Sequence, residues 1–318
     1  MSAGVAEPVS PARGGLKSLL EAVVADGTVV QQNVSLAELT TLRVGGQADW
    51  FAEPQSQADL SALVSASREH GLPVTALGLG SNFLVLDSGV RGLTVRLSAG
   101  VFAGIEVDGS RLKCGAAARM KKVAAEARRC RLAGMEFLEG IPGSVGGGLR
   151  MNAGAMGSEL FDVVETVRFM DPAGEVFEMS AESIESTYRS CPLLKNQIAL
   201  GAVLKGEPDT GEAIAARMAE YSQKRWGSQP KARSAGCIFK NPEGIPAGKL
   251  VDELGLKGAT EGGAMVAQEH GNFIVNNGDA TAGDILRLID RIRERALGER
   301  GIELQTEVQI IGREDGRV

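Results

Sequence analysis

Hydrophobic residues recur at two different spacings along the chain, and the change from one to the other predicts a mixture of helices and strands. Residues 56–70 have helical spacing, with an apolar stripe of Leu60, Leu63 and Val64 that the small Ser67 continues one turn later. The pattern ends at a glycine and a proline, which are typical helix stops. A short apolar strand, VTALG, follows and leads through a glycine-bearing turn to a second strand in GLGSNFLV.

The rest of the chain continues this mixed pattern. Short strand-like runs alternate with glycines over residues 91–107, and helices are predicted over about 119–131 and 284–297. The last helix has an apolar stripe that predicts its buried face: Ile285, Leu288, Ile289, Ile292 and Ala296. Residues 303–310 alternate apolar and polar side chains, which predicts a strand with Glu307 on its solvated face. This order of elements is typical of an α+β fold.

Two glycine-rich segments are candidates for a phosphate-binding site. Residues 139–157, EGIPGSVGGGLRMNAGAMG, contain seven glycines, a density that argues against a helix. Because glycine lets backbone N–H groups approach a ligand closely, successive amides can surround a diphosphate. The same reasoning covers Gly78, Gly80, Ser81 and Asn82. Flexible surface loops are the alternative, and neither segment fits the dinucleotide fingerprint GxGxxG or the P-loop.

A cysteine in a small-residue setting is a candidate proton donor. Residues 233–242, RSAGCIFKNP, place Cys237 among small residues, with basic residues before and after it. A thiol of pKa about 8.5 is mostly protonated at neutral pH, yet it releases a proton far more readily than a serine hydroxyl does. Cys237 is therefore a candidate general acid beside a bound anion. The alternative is that it only fills core space, as free cysteines often do.

Composition and charge narrow the possible partners. A chain of 318 residues is long enough for two or three domains, and a net charge of −6 argues against nucleic-acid binding, although basic clusters at 119–131 and 224–233 could hold phosphates. The four cysteines form no CxxC pair, so we expect no metal site and a reducing cytoplasm. Residues 1–15 lack the apolar core of a signal peptide and are predicted to be a disordered leader. No segment is apolar enough to span a membrane.

Several motifs occur in a fixed order between about residues 40 and 312: LGLGSNFLV, GIPGSVGG, NAGAMG, YRS, SAGCIFKNP and TEV. In this order they resemble the UDP-N-acetylenolpyruvoylglucosamine reductase family, FAD enzymes of peptidoglycan precursor synthesis. The resemblance implies an FAD-binding fold of the vanillyl-alcohol-oxidase (PCMH) type, followed by a smaller α+β substrate-binding domain. It places FAD-binding subdomains at 16–100 and 101–210 and the UDP-sugar domain at 211–318.

The resemblance also implies a reaction and three catalytic residues. NADPH would reduce the flavin, whose N5 would deliver hydride to the methylene carbon of UDP-N-acetylglucosamine enolpyruvate. Arg189 would bind the substrate carboxylate and stabilise the enolate, and Cys237 would supply the proton that gives UDP-N-acetylmuramate. Glu307 would polarise the carboxylate or the acid. Without the resemblance, Arg189 could equally belong to a surface ion pair.

The binding residues implied by the resemblance form two sets. The cofactor set is Arg43, Gly78, Gly80, Ser81, Asn82, Leu84, Val85, Gly140, Ile141, Pro142, Gly143, Ser144, Gly146, Gly147, Asn152, Ala153, Gly154 and Ala155. The substrate set is Tyr188, Lys231, Lys240, Asn241, Lys249 and Asn272. Polar residues of the substrate set could instead be ordinary solvated side chains.

The chain departs from the family pattern at three points. Most relatives have serine where Cys237 stands, so the pH dependence and the sensitivity to thiol reagents are expected to differ. Cys191 and Leu193 replace a serine and an aromatic residue that usually follow the arginine. The 48-residue separation of Arg189 and Cys237 resembles the shorter subtype, which lacks an inserted loop over the substrate.

Two other functions remain open from the sequence. One is an FAD-dependent oxidase or dehydrogenase of alcohols or hydroxyacids, although its usual histidine tether is hard to place because His70 and His270 both lie outside the glycine segments. The other is a non-catalytic nucleotide- or sugar-binding protein. For the reductase we expect a small-molecule partner, no nucleic acid, no membrane, and a monomer or weak oligomer.

Overall fold

The computed structural model describes residues 13–25, 27–98 and 100–312. Its helices are α1 (Arg13–Ala22), α2 (Gln57–Glu69), α3 (Gly100–Ala103), α4 (Met120–Arg129), α5 (Val145–Met151), α6 (Gly211–Trp226), α7 (Ala247–Glu253) and α8 (Ala282–Arg300). Residues 1–12 of the predicted leader lie outside the described residues. The helix α1 begins at Arg13 and so includes the last three residues of the predicted leader.

The strands in the described part of the chain are short. They are β1 (Val30–Ser35), β2 (Gln47–Ala52), β3 (Val74–Leu77), β4 (Phe83–Val85), β5 (Val90–Arg96), β6 (Ile105–Asp108), β7 (Arg111–Gly115), β8 (Leu132–Ala133), β9 (Gly154–Ala155), β10 (Ser158–Glu159), β11 (Val164–Met170), β12 (Val176–Ser180), β13 (Ile198–Lys205), β14 (Glu207–Pro208), β15 (Arg233–Cys237), β16 (Thr260–Glu261), β17 (Ala264–Val266), β18 (Phe273–Asn276) and β19 (Gln309–Ile311). Helices and strands alternate in the α+β arrangement that the sequence predicts.

The first region is built on a four-stranded sheet in the order β1-β2-β5-β3, in which β2 and β3 run parallel to β5. The helix α2 begins after Ser56, whose Oγ accepts the N–H of Asp59 at 3.0 Å and so satisfies a free donor of the first turn. The predicted apolar face of α2 is confirmed, since all four of its residues are buried: Leu60, Leu63, Val64 and Ser67.

The second region contains a five-stranded antiparallel sheet in the order β12-β11-β13-β7-β6. The helix α4 packs Met120, Val123 and Ala127 into its core, and α6 adds Ile214 and Met218 to the same core. The predicted boundary at residue 211 assigns α6 to the substrate domain. The buried face of α6 instead packs against the second region, because its apolar residues Ile214 and Met218 contact the core of that region.

The third region consists of an antiparallel sheet in the order β15-β18-β17-β16, with α7 and α8 in its core. A capping box fixes the start of α8: Thr281 Oγ1 accepts the N–H of Asp284, and the Asp284 carboxylate accepts the N–H of Thr281. The predicted apolar stripe of α8 is confirmed, with all five of its residues buried: Ile285, Leu288, Ile289, Ile292 and Ala296.

Backbone pairing joins an early and a late segment of the described chain. The late strand β19 pairs in parallel with the early strand β4. Next to it, the carboxylate of Asp87 accepts the N–H groups of Ala282 and Gly283, both at 3.0 Å, and so caps α8 from the first region. The third region is therefore held directly against the first glycine-rich segment.

The prediction that residues 139–157 contain no helix is wrong, because α5 occupies the middle of that segment. A Cβ added to Gly148 would lie 1.8 Å from Met120 Cε, and one added to Gly146 would lie 3.0 Å from the Ala116 Cβ. The glycines thus allow α5 to pack closely against its neighbours, and this packing outweighs their low helix propensity. The helix ends at Asn152, which has a left-handed φ of 39°.

The prediction of a continuous strand at 303–310 is only partly right. Leu304 and Val308 are buried as expected, but β19 begins at Gln309, and Thr306 forms only an isolated bridge with Phe239. Ile310 is exposed, and the side chain of Glu307 keeps only 16% of its accessible area. Glu307 is buried because it lies where this segment crosses the third region, which local alternation does not reveal.

Candidate active site

A cavity of about 360 Å³ lies where the glycine-rich segments meet the third region. One side is formed by backbone and mostly uncharged side chains within residues 78–83 and 141–156, which we call the glycine wall. The other side carries Arg189, Arg225, Cys237 and Glu307, which we call the side-chain wall. The cavity thus joins a mostly uncharged, backbone-rich surface to a cluster of ionisable groups.

The glycine wall has room for a ligand against its backbone. A Cβ added at Gly147 would meet only Ser144 Oγ, at 3.9 Å, and one at Gly143 would meet only Ser81 Oγ, at 3.5 Å. Both positions line the cavity. Ser81 Oγ donates to the carbonyl of Pro142 at 2.8 Å, which ties the two glycine-rich segments together. A cofactor can therefore lie directly on this backbone, and the residues present fit FAD.

Most of the predicted cofactor residues line the cavity. They are Gly78, Gly80, Ser81, Asn82, Ile141, Pro142, Gly143, Ser144, Gly147, Ala153, Gly154 and Ala155. The structure does not bring the other six to its lining: Arg43, Leu84, Val85, Gly140, Gly146 and Asn152. Leu84, Val85 and Asn152 are buried and Arg43 is exposed, whereas Gly146 lines a smaller adjoining lobe.

Arg189 is held in an unusual backbone conformation. Its φ is 58°, in the left-handed region that non-glycine residues adopt at a cost of about 1–3 kcal/mol. The turn around it is closed by two backbone hydrogen bonds between Thr187 and Ser190, at 2.9 and 3.0 Å. The exposed ring of Tyr188 stacks on the guanidinium, with Cζ 4.8 Å from the ring centroid. Strain of this kind is typical of a side chain that is directed to a functional position.

Arg189 and Glu307 form a partly buried ion pair. Arg189 Nε donates to Glu307 Oε1 at 2.9 Å, and Arg189 Nη2 donates to the carbonyl of Gly154 at 2.9 Å. The backbone of Glu307 is fixed as well, since its N–H donates to Ile238 and its carbonyl accepts from Asn82 Nδ2. Burial raises the pKa of the Glu307 carboxyl, and the positive charge of Arg189 opposes that rise.

Cys237 is directed by an irregular strand. It ends β15, follows Gly236 with its φ of 77°, and lies beyond a register shift between Ser234 and Cys237 in the pairing with β18. Such a bulge re-aims a side chain. Burial, and then the negative charge of Glu307, raise the pKa of the Cys237 thiol to about 12. The sulfur therefore keeps its proton at neutral pH, which suits a proton donor and not a thiolate nucleophile.

Several residues of the lining are absent from the predicted sets, and three of them have long polar side chains on or next to a helix. Arg225 near the end of α6 and Gln229 just beyond it reach the cavity, and Arg150 reaches it from the last turn of α5. The basic cluster at 224–233 was the only sequence signal for Arg225. For Arg150 the signal was a single positive charge within a glycine-rich segment. The cluster suggested phosphate binding without singling out Arg225, and the exclusion of a helix at 139–157 left Arg150 without a predicted position.

The predicted substrate residues are more scattered than the catalytic ones. Lys240 lies close enough to Glu307 to oppose the rise in the pKa of that carboxyl. Lys231 is exposed, and Lys249 is exposed with its Nζ 3.8 Å from Glu253.

Asn241 and Asn272 both form hydrogen bonds with the backbone, although Asn241 is exposed and Asn272 is buried. Asn241 Oδ1 accepts the N–H of Ala247 at 3.0 Å, at the start of α7. Asn272 is buried, and both ends of its amide bond the backbone of Phe239, at 2.9 and 2.8 Å. Its side chain therefore fixes the segment that carries Cys237, and contact between Asn272 and the nucleotide stays a prediction.

Two features of the described residues bear on metal binding and on membrane association. No group of three or more histidine, cysteine, aspartate or glutamate side chains there is placed to hold a metal ion. No helix there is both long and apolar enough to cross a membrane. The four cysteines are free.

Comparison with known proteins assigns the chain to a family. Residues 229–311 match the family described as UDP-N-acetylenolpyruvoylglucosamine reductase, C-terminal domain, and residues 48–180 match an FAD binding domain. The UDP-N-acetylenolpyruvoylglucosamine reductase of Methylorubrum extorquens is 43% identical over 88% of this chain and 91% of its own. That of Caulobacter vibrioides is 43% identical over 88% and 93%. The chain belongs to this family.

A solved member of the reductase family has the same fold. The crystal structure of UDP-N-acetylenolpyruvylglucosamine reductase from Thermus caldophilus matches with a TM-score of 0.79 and 38% identity, over 90% of this chain and 100% of that one. The family resemblance predicted from the ordered motifs is confirmed. So is the FAD-binding fold, since the matched FAD domain contains most of the glycine wall.

Proposed function

We propose that the chain reduces UDP-N-acetylglucosamine enolpyruvate to UDP-N-acetylmuramate with NADPH, through bound FAD, in peptidoglycan precursor synthesis. The observation that carries this conclusion is the convergence of Arg189, Glu307 and Cys237, from three separate segments, on one side of a glycine-lined cavity. Membership of the reductase family supports it, with 43% identity over nearly the full length of a named reductase.

The glycine wall would hold the cofactor. Its backbone is open at Gly143 and Gly147, where no side chain would keep a flat ring or a diphosphate away. When bound, FAD takes hydride from NADPH and passes it to the enolpyruvyl methylene carbon. The protein must then bind the substrate carboxylate, stabilise the negative charge that develops and supply a proton.

Arg189 is suited to bind the carboxylate and stabilise the developing charge. Two of its five N–H donors are used to fix it against Glu307 and Gly154, which leaves others for the substrate. Because these bonds and the strained turn orient the guanidinium beforehand, little reorganisation is needed during the reaction. A preorganised donor of this kind typically contributes about 3–4 kcal/mol to transition-state stabilisation.

Cys237 is suited to donate the proton. Its thiol is protonated in the resting site, and proton transfer to the enolate carbon would leave a thiolate on sulfur. Arg189 and Arg225 both favour that thiolate electrostatically, whereas Glu307 disfavours it. Glu307 therefore has two effects in this proposal, since it orients Arg189 and also keeps the proton on sulfur until the enolate forms.

The remaining assignments follow from the same proposal. The twelve predicted cofactor residues on the glycine wall would contact FAD, and the third region with its neighbouring basic residues would hold the UDP-sugar, including Lys231 and Lys240. The proposed domains are 16–100, 101–210 and 211–318, with α6 contributing its packing to the second. A reducing cytoplasm agrees with four free cysteines, and a monomer or weak oligomer remains our prediction.

A comparison of the two half-reactions by anaerobic stopped-flow spectroscopy tests the function. NADPH should bleach the flavin absorbance, and UDP-N-acetylglucosamine enolpyruvate should restore it without oxygen. Flavin reduction by simple alcohols or hydroxyacids, with no response to NADPH, would support the oxidase alternative. Among the described lining residues there is no histidine to tether a flavin for that chemistry. Protein that retains no flavin after gentle purification would contradict both enzymes.

A further inference from the structure

Arg150 carries a charge that the described residues do not neutralise. It lines the cavity from the last turn of α5, and burial lowers the pKa of its guanidinium. Its Nη1 donates to two carbonyls, those of Leu194 and Lys195, both at 2.8 Å. Among described residues, no carboxylate lies within the 4.0 Å of an ion pair with it. A partly buried cation with only neutral partners is costly, so this position favours an anionic ligand.

A second, smaller lobe of about 80 Å³ adjoins the main cavity at Arg150. The two cavities share Arg150 and four neighbours: Gly78, Phe83, Ser144 and Gly147. Gln197 lines the lobe, and its side-chain Oε1 is buried without a hydrogen-bond partner among the described residues. An orphaned buried acceptor is unusual, because leaving it unpaired costs free energy. Gln197 therefore lacks a hydrogen-bond donor in the lobe, and the neighbouring Arg150 lacks an anion.

One half of a dinucleotide contains both missing partners, an anion and a hydrogen-bond donor. If the flavin ring lies beside Cys237 and Glu307, the rest of FAD must leave along the glycine wall. Arg150 lines both the main cavity and the lobe, and Gln197 lines the lobe. A diphosphate supplies the anion at the first position, and the exocyclic amine of adenine supplies the donor at the second.

We propose that Arg150 binds the diphosphate of FAD and that Gln197 accepts a hydrogen bond from the adenine amine in the adjoining lobe. This inference rests on the proposed use of FAD and goes beyond the cofactor residues given by the family resemblance, which include neither side chain. Arg150 also fixes the carbonyls of Leu194 and Lys195, the turn just before Gln197, so the two contacts are mechanically linked.

Ligand binding to the flavin-free protein tests Arg150 without any measurement of turnover. Flavin fluorescence titrations with FAD, FMN and riboflavin vary the phosphate content while the ring stays constant. Arg150→Gln should raise the Kd for FAD by about 10- to 100-fold, as expected for a lost charge-assisted bond, and leave that for riboflavin unchanged. Arg128→Gln removes the same charge from the exposed surface of α4 and should change neither.

Two results would overturn the role of Arg150. One is an equal loss of FAD and riboflavin binding, because that would mean that Arg150 only supports the turn at 194–195. The other is unchanged FAD binding. Arg150→Lys separates charge from support, since a lysine keeps the positive charge but not the planar pair of donors, and it should bind FAD more tightly than Arg150→Gln does.

Gln197→Met tests the lobe. It keeps the side-chain length but removes the acceptor, so we expect FAD, and ADP measured by competition, to bind about tenfold more weakly and FMN to bind as before. Equal weakening of FAD and FMN would refute adenine binding in the lobe. These binding results stand apart from the half-reactions: a chain that binds FAD as described but does not oxidise NADPH would contradict only the proposed function.

Discussion

The two walls of the cavity recognise their ligands by different means. The glycine wall offers backbone and open space, as at Gly143 and Gly147, and most of its lining is uncharged. The side-chain wall offers an ion pair, a second arginine and a thiol within reach of one another's electric fields. The first wall binds mainly through backbone that few side chains cover, whereas the second binds through ionisable side chains.

Because of this difference, we expect the glycine wall to control cofactor binding and the side-chain wall to control the acid–base chemistry. A methyl group added to the glycine wall should weaken cofactor binding and leave the acid–base groups untouched. A functional group removed from the side-chain wall should leave the cofactor bound and stop the second half-reaction. Arg150 is the exception that links the two kinds of wall, because it is a charge placed among glycines.

The largest expected effect comes from removing the proton donor. Cys237→Ala should leave flavin reduction by NADPH intact and slow reoxidation by the enolpyruvyl substrate by about 10²- to 10⁴-fold, the usual contribution of general acid catalysis. Cys237→Ser is the matched control and should retain much of the turnover. Stopped-flow traces of both half-reactions measure this. An equal loss of rate in both half-reactions would assign Cys237 to cofactor binding. The two walls would then not differ in the way proposed here.

The next effect concerns the reactivity of the same thiol. Burial holds the pKa of Cys237 at about 12, so at pH 8 it should have roughly 10³-fold less thiolate than a thiol of pKa about 8.5. Alkylation by iodoacetamide should rise about tenfold for each pH unit up to pH 10, whereas an ordinary thiol levels off near pH 9.5. Peptide mass spectrometry can follow Cys237 separately from the other three cysteines. A plateau at or below pH 9 would contradict the raised pKa.

A smaller effect is expected when the arginine fork is changed but its charge is kept. Arg189→Lys should slow flavin reoxidation by about 10²-fold, because an ammonium group cannot bond Glu307, Gly154 and a carboxylate in one plane. Flavin reduction and FAD affinity should stay as in the wild type. Unchanged reoxidation kinetics would show that only the positive charge matters at this position.

The smallest effect tests the glycine wall and has opposite signs on stability and binding. Gly147→Ala places a methyl group into the cavity, yet it improves the helix propensity of α5, so the flavin-free protein should gain about 0.5–1 kcal/mol in its free energy of unfolding. FAD should bind about tenfold more weakly, since overpacking of this kind costs about 1–3 kcal/mol.

Gly298→Ala is the matched control for that substitution. Gly298 lies in the exposed part of α8, where an added Cβ has no neighbour within 4 Å, so only the gain in stability should appear. Denaturant unfolding and fluorescence titration together give both quantities. If Gly147→Ala kept full FAD affinity, the open side of α5 would not be the cofactor surface.

The helices with regularly spaced apolar residues were predictable from the sequence. The elements that depend on close packing with distant residues were not. The stripes of α2 and α8 were read directly from the spacing of leucine and isoleucine. The helix α5 was missed because its glycines meet Met120 and Ala116, residues about 30 positions earlier, and no local pattern shows such a contact. Glu307 looked solvated for the same reason.

The candidate site was predictable only in part. Cys237 stood out through its small neighbours, and Arg189 and Glu307 were identified through the ordered family motifs. Arg150 and Arg225 could not be found in this way, because helices bring them to the cavity and one of those helices was excluded. Charges in glycine-rich or basic stretches acquire a role only once the fold shows which of them lack a partner.

The pairing of β19 with β4 has a consequence for how the protein is made. Asn82 and Glu307 are hydrogen-bonded although they are 225 residues apart, and β4 has no other strand beside it in the described chain. On the ribosome, the early edge at β4 must therefore stay unpaired until residues 309–311 emerge. Such long-range closure is slow and exposes the edge to wrong partners, so the nascent chain should depend on chaperones until β19 can pair with β4.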